Sequence, residues 1–189
     1  MTEFDLGSAV LTLARSAIAE KLGLGALDAV SHARLEERSA TFVTLKQAGG
    51  LRGCVGSLQA VRTLRDDVRA NAIAAAFRDP RFAPLEAGEL ARTSLEVSLL
   101  SAEERITAAS ESELLAQLRP GVDGVLLEFE QHRATLLPQV WERLSDPREF
   151  LAALRLKARL PEDFWSDGMI ISRYGVVTWK EPEASLGAQ

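Results

Sequence analysis

The sequence predicts an α+β protein, with a mainly antiparallel sheet and flanking helices. Helical and strand-like segments do not alternate regularly along the 189 residues, and paired strands joined by short turns recur. No internal repeat, low-complexity stretch or linker interrupts the chain. This length suits one domain over residues 1–189, with room for two intertwined lobes.

The elements follow in order. Leu6, Val10, Leu13, Ala14, Ala17 and Ile18 recur at helical spacing, so residues 6–22 form an amphipathic helix that Gly23 and Gly25 stop. Thr41-Phe42-Val43-Thr44-Leu45 is β-branched and aromatic, the composition of a strand. Gly49-Gly50 turns the chain, and residues 51–57 run back as the second arm of a hairpin. A second helix starts near Thr63, whose spacing to Asp66 is that of a capping box. Its stripe of Val68, Ala72, Ala75 and Ala76 is narrow enough for close approach to a neighbour. Asp79-Pro80 ends that helix, residues 81–84 are a loop, and residues 85–90 make a short helical turn. Residues 93–100 are a strand with Leu95, Val97 and Leu99 on one face.

Ser110-Glu111-Ser112-Glu113 caps a helix that ends at Pro120-Gly121, and residues 125–130 and 133–137 pair as strands. Asp146-Pro147-Arg148-Glu149 is a helix start: an N-cap, proline at the first helical position, then an acid at the third. Phe150, Leu151, Leu154 and Leu156 form the apolar side of that helix. Residues 169–179 read as one long strand with Tyr174-Gly175 as a bulge, and residues 181–189 as a polar, frayed tail.

The net charge of −5 argues against a global nucleic-acid-binding surface, although a local basic patch is compatible with it. No apolar run approaches a membrane span. The acidic start, Met1 to Asp5, is unlike the basic lead of a secretory signal, and one cysteine cannot form an internal disulfide. The expected location is the cytoplasm.

Leu51-Arg52-Gly53-Cys54-Val55-Gly56-Ser57 is the segment most suggestive of chemistry. It places the single cysteine among glycines, two residues after an arginine. On a regular strand Arg52, Cys54 and Gly56 share a face, with alternate residues about 6.5–7 Å apart. Arg52 would then reach back toward the sulfur, and Gly56 would leave room above it for a substrate. Three readings stay open for Cys54: a small buried hydrophobe, which the local residues favour, a reactive thiol, or a binding residue without covalent chemistry.

Other clusters are weaker. A nucleophile needs a base, and the chain has only His32 and His132; a Cys54–His132 pair is one option against a solvated turn histidine. Glu128, Glu130 and His132 would share a strand face, read as the wet face of a half-buried sheet in preference to a metal site. His32 and Glu36, four apart, could meet on one helical face and read as solvated side chains there. Arg62, Arg65, Arg69, Arg78 and Arg81, with Arg52, would make a basic patch suited to phosphate, carboxylate or an RNA backbone; the competing reading is a salt-bridged surface involving Asp66, Asp67 and Asp79. Motifs for P-loop, dinucleotide, serine-hydrolase, kinase and iron–sulfur chemistry are absent, and no metal or cofactor is expected.

Leu51 to Gly56 resembles the signature of the AMMECR domain family, also called AmmeMemoRadiSam system protein A. The resemblance continues in order through residues 75–85 (Ala75 to Leu85), 95–100, 124–140 and 156–165, covering nearly the whole chain. It implies an α+β fold of two lobes around a cleft, with the cysteine motif at the presumed site. It also places Asp79, Arg81 and Arg133 in family-like blocks and so in the substrate-binding set with Arg52, Gly53 and Gly56. It suggests partners, a Memo-like protein and a radical SAM protein, better than it suggests a reaction. The expected function is binding of a small anionic substrate in a cleft lined by the cysteine motif, with Cys54 as the candidate catalytic residue. The alternatives are a non-catalytic adaptor or carrier, and an RNA- or nucleotide-binding protein.

Overall fold

The structure, a computed structural model, describes residues 5–25 and 30–182. In chain order the helices are α1 (Leu6–Lys21), α2 (Leu64–Phe77), α3 (Ala87–Leu90), α4 (Glu111–Gln117) and α5 (Pro147–Lys157). The strands are β1 (Arg38–Ser39), β2 (Thr41–Gln47), β3 (Gly50–Gly56), β4 (Arg62–Thr63), β5 (Ser94–Leu100), β6 (Glu104–Ile106), β7 (Gly124–Phe129), β8 (His132–Leu136), β9 (Ile170–Tyr174) and β10 (Val176–Lys180). The α+β class holds, and every strand pair whose register is defined is antiparallel.

Contacts divide the chain into two compact units. One runs through Leu100 and resumes at Val177; the other is Ser101–Val176. The first unit holds a four-stranded sheet in the order β10-β5-β2-β3 and the small β1-β4 pair. α1 packs on α2 and on β5, while α2 packs on β2 and β3. Val10, Ala14, Ile18, Val68, Ala72, Val43, Leu45, Leu95 and Val97 form this core, each fully buried. The alanines of α2 serve close approach: a Cβ on Gly53 of β3 would stand 2.2 Å from the Ala75 carbonyl oxygen. Asp5 caps α1 by accepting from Ser8 N, and Thr63 caps α2 by accepting from Asp66 N. At the other end of α1 a Schellman motif forms, with Gly23 left-handed at φ 75 and Leu24 N donating to Ala19 O.

The second unit holds a sheet in the order β6-β9-β7-β8, with α5 against β8. Its core gathers Leu114, Val125, Leu127, Phe150, Leu151 and Leu154. Trp141 stacks on Phe150 at 3.7 Å between centroids and donates from Nε1 to the Asp123 carbonyl. Asp146 caps α5 by accepting from Arg148 N, and Pro147 opens the helix. α5 ends in the same Schellman pattern as α1: Arg159 N donates to Leu156 O and Leu160 N to Arg155 O. Here the left-handed position, at φ 62, is held by Arg159, where an L side chain costs roughly 1–2 kcal/mol.

Several expectations are corrected. Residues 169–179 are not one bulged strand: Gly175 separates β9 from β10, which lie in different sheets. Ser101 closes the break, its N donating to Gly175 O and its Oγ accepting from Gly175 N. The hairpin turn is Ala48-Gly49, both left-handed, and Gly50 already belongs to β3. Leu156 is exposed, on the outer side of α5. The helix after Ser110 stops at Gln117, short of Pro120. Of the tail at 181–189, Glu181 is anchored, its carboxylate meeting Arg15 and Leu95 N, while residues 183–189 lie outside the described residues. No helix among the described residues is long and apolar enough to cross a membrane.

Candidate functional site

The Leu51–Gly56 segment lies on β3, the edge strand of the first unit's sheet. An edge leaves backbone donors and acceptors unpaired. Cys54 stands opposite Thr44, and its outward N–H and C=O are met by the loop that follows α2. Asp79 Oδ2 accepts from Cys54 N at 2.9 Å, and Arg81 Nη2 approaches Cys54 O at 3.4 Å. Pro80 breaks the helix and Asp79 holds the turn, accepting from Arg81 N at 3.1 Å. The Asp79–Arg81 pair thus protects the edge and fixes the loop beside the thiol at once.

Asp79 is buried, and four donors converge on its carboxylate: Cys54 N, Arg81 N, Arg81 Nε and Arg81 Nη2. The Arg81 side chain, followed by the two backbone N–H groups, holds this carboxyl far below the usual range, against the opposing effect of burial. Asp79 raises the Arg81 pKa in turn, with a smaller contribution from Cys54. Arg81 is 53% exposed although two of its nitrogens are pinned, so one edge of the guanidinium faces solvent.

Arg52 does not reach back to the sulfur. The β2–β3 register shifts at Leu45/Lys46: Leu45 pairs with Gly53 but Lys46 with Leu51, so Arg52 is the additional, unpaired residue of a bulge. The alternation expected across Arg52, Cys54 and Gly56 is interrupted there. Arg52 makes a bidentate pair with Glu89 of α3, Nε to Oε1 at 3.2 Å and Nη2 to Oε2 at 3.0 Å. Its Nη1 is buried without a hydrogen-bond partner, and the Phe82 ring lies 6.0 Å from its Cζ. Arg81 meets the same ring at 5.5 Å. Arg52, then the Glu86 backbone N–H and the Gln47 amide, lower the Glu89 pKa to about 2.

Cys54 is half-buried, which corrects the reading as a buried hydrophobe. Its Sγ accepts a hydrogen bond from Thr44 Oγ1 at 3.3 Å. Gly56 leaves no room above the thiol, since the Phe42 ring occupies the place of its missing side chain, 2.3 Å from a built Cβ. Gly53 serves the approach of α2. Thr44, Gln47 and Glu89 join the cluster without having been singled out from sequence. Counting back through the hairpin turn places Thr44 opposite Cys54 only if the bulge is known, and no local signal couples Glu89 to Arg52.

The other candidates resolve into separate settings. Arg62, in β4, pairs with Asp67, and on α2 Arg65 pairs with Glu36 and Arg69 with Glu20, so these three arginines are neutralised. His32 caps the single-turn 3-10 helix Ala33–Glu36, its Nδ1 accepting from Arg34 N. Glu128, Glu130 and His132 do not share a strand face: β7 ends at Phe129, Glu130 is in the turn at φ 50, and His132 starts β8. His132 Nδ1 lies 2.8 Å from Ala158 O, so the ring donates from that nitrogen. Arg133 belongs to the second unit and pairs with Glu128 at 3.0 Å and, more distantly, Glu103 at 3.9 Å.

The first unit therefore defines an α+β protein that displays one cysteine on a sheet edge guarded by an aspartate–arginine loop. The chain belongs to the AMMECR1 family, whose model matches residues 11–179. It is similar to a protein of Saccharolobus islandicus, 36% identical over 186 residues that cover 94% of this chain and 82% of that one. A protein of Methanothermobacter thermautotrophicus is 38% identical over 168 residues, 86% of this chain and 87% of that one. An uncharacterized protein of Pyrococcus horikoshii, known from its crystal structure, matches with a TM-score of 0.83 at 30% identity, over 94% of this chain and 92% of that one.

Proposed function

We propose that this protein binds a small anionic substrate on the surface formed by the Leu51–Gly56 segment and the Asp79–Phe82 loop, in the cytoplasm, in concert with a Memo-like protein and a radical SAM protein. The observation that carries the reading is Arg81. A buried carboxylate orients its guanidinium beside Cys54, while more than half of the side chain stays in contact with solvent. An oriented, accessible guanidinium is suited to recognise a carboxylate or phosphate. Arg52 plays a supporting part: its ion pair with Glu89 holds the bulge, and with Arg81 it flanks the Phe82 ring. The motif's resemblance to the AmmeMemoRadiSam proteins supports the partners.

Cys54 is the group beside that cation that could take part covalently. Two measurements decide between enzyme and adaptor. Labelling of native protein with an alkylating thiol probe should be fast at Cys54 and slow in Arg81→Gln. Co-purification with the two partner proteins should survive Cys54→Ser while cellular function is lost. A sluggish thiol together with full function in Cys54→Ser would make the protein a non-catalytic adaptor. The nucleic-acid reading is weaker, because Arg62, Arg65 and Arg69, which it needs, are paired with carboxylates.

A further inference from the structure

The second unit carries an open pocket of ≈ 430 Å³ lined by Gln131, His132, Arg133, Lys157, Ala158 and Arg159. That volume is within the range of small-ligand sites. Three of the six lining residues are full cations, one is a histidine and none is an acid, in a chain of net charge −5. We propose that this pocket, where the turn from β7 to β8 meets the end of α5, binds a compact phosphate-bearing anion through Arg133, Lys157 and Arg159.

The cations are only partly compensated. Lys157 Nζ donates to the neutral Thr135 carbonyl at 2.9 Å, which positions the ammonium and leaves its charge unpaired. The Arg159 side chain makes no hydrogen bond or ion pair among the described residues. Arg133 is the exception, held by Glu128 at 3.0 Å with Glu103 at 3.9 Å. His132 donates from Nδ1 to the Ala158 carbonyl, which leaves Nε2 as an acceptor at the pocket wall and gives the phosphate oxygens no donor there. Two elements thus line one pocket with cationic groups, of which Lys157 is held by a hydrogen bond and Arg133 by an ion pair.

Cations also gather at helix C-termini because they complement the dipole. That accounts for the sign of Lys157 and Arg159. It does not account for an arginine in the left-handed position of the cap. The same motif at the end of α1 uses Gly23, at φ 75. At the end of α5 the position holds Arg159, at φ 62. Backbone strain of this kind clusters at ligand sites, where the side chain it carries has a use. The uncompensated Arg159 guanidinium and Lys157 ammonium, with the paired Arg133 beside them, match the multiple negative charges of a phosphate ester or pyrophosphate better than a single carboxylate.

The test is calorimetric titration of the purified full chain with inorganic pyrophosphate at low ionic strength, beside Arg159→Gly, Lys157→Gln and Cys54→Ser. Wild type should bind. Arg159→Gly, which gives the cap its preferred residue, should melt no lower than wild type and still bind about tenfold more weakly or worse. Lys157→Gln should lose binding similarly, and Cys54→Ser should bind as wild type does. The proposal is overturned if wild type does not bind, if Arg159→Gly binds at full strength, if citrate binds as tightly as pyrophosphate, or if Cys54→Ser abolishes binding. Arg159→Gly carries the decision even if Lys157→Gln unfolds.

Discussion

At Gly53 a single methyl group has nowhere to go. A built Cβ would stand 2.2 Å from the backbone oxygen of Ala75, and neither β3 nor α2 can yield without disturbing the core between them. Gly53→Ala is therefore expected to destabilise the protein by about 3 kcal/mol or more, measured by denaturant unfolding. Glu89 makes a second prediction. Its pKa falls from 4.5 to about 2 on folding, chiefly through Arg52, so it contributes stability that is complete above pH 4.5 and fades as pH falls toward 2. The unfolding midpoint of wild type should drop over that interval, and Glu89→Gln should flatten the drop; an unchanged pH profile in the variant would remove the role. Glycine density around Cys54 is a local signal, whereas Asp79 and Arg81 were legible as candidates only through the family resemblance of residues 75–85. Glu89 was not legible, because its bond to Arg52 spans 37 residues and depends on a bulge that no residue type announces.

Asp67 shows how one side chain joins elements. It sits in the first turn of α2, fully buried, and accepts from Thr41 N and Oγ1 at the start of β2, from Ser57 Oγ after β3, from Asn71 Nδ2, and from Arg62 Nε. Asp67→Ala should cost about 3 kcal/mol or more, since it strands several buried donors at once. Asp67→Asn should recover only part of that, because an amide places a donor where five donors already converge. Chemical denaturation of both variants checks the order. The hairpin, α1, α2 and α5 were legible from apolar spacing, caps and glycine. The sheet change at Gly175 was not: residues 169–179 carry an unbroken strand composition, and only long-range pairing divides them. The arginine stripe on α2 was correctly placed and misleading in sign, since Glu20 and Glu36 come from distant elements to neutralise it.

At the scale of the whole chain, the α+β class followed from irregular alternation and frequent hairpins. Two intertwined lobes were an expectation, but the places where the chain leaves one unit and returns to it were not legible, because no linker composition marks either crossing. The second unit leaves the first after Leu100 and returns to it at Val177. Its ends meet where Ser101 and Gly175 exchange hydrogen bonds. Replacing residues 101–175 by a two-residue Asn-Gly turn should therefore leave the first unit able to fold, with β5 and β10 joined as a plain hairpin. Amide protection of β2 and β5 in such a variant, by hydrogen exchange, is the expected result; a molten spectrum would show that the first unit depends on the second.

That insertion also sets an order of events during synthesis. Seventy-five residues (101–175) separate the end of β5 from Val176, the first residue of its neighbour β10. While the intervening unit emerges from the ribosome, β5 has β2 on one side and a bare flank on the other. A nascent chain passes through this stage at about 5–20 residues per second. For those seconds the larger sheet of the first unit lacks β10, and the flank of β5 carries unpaired backbone donors and acceptors.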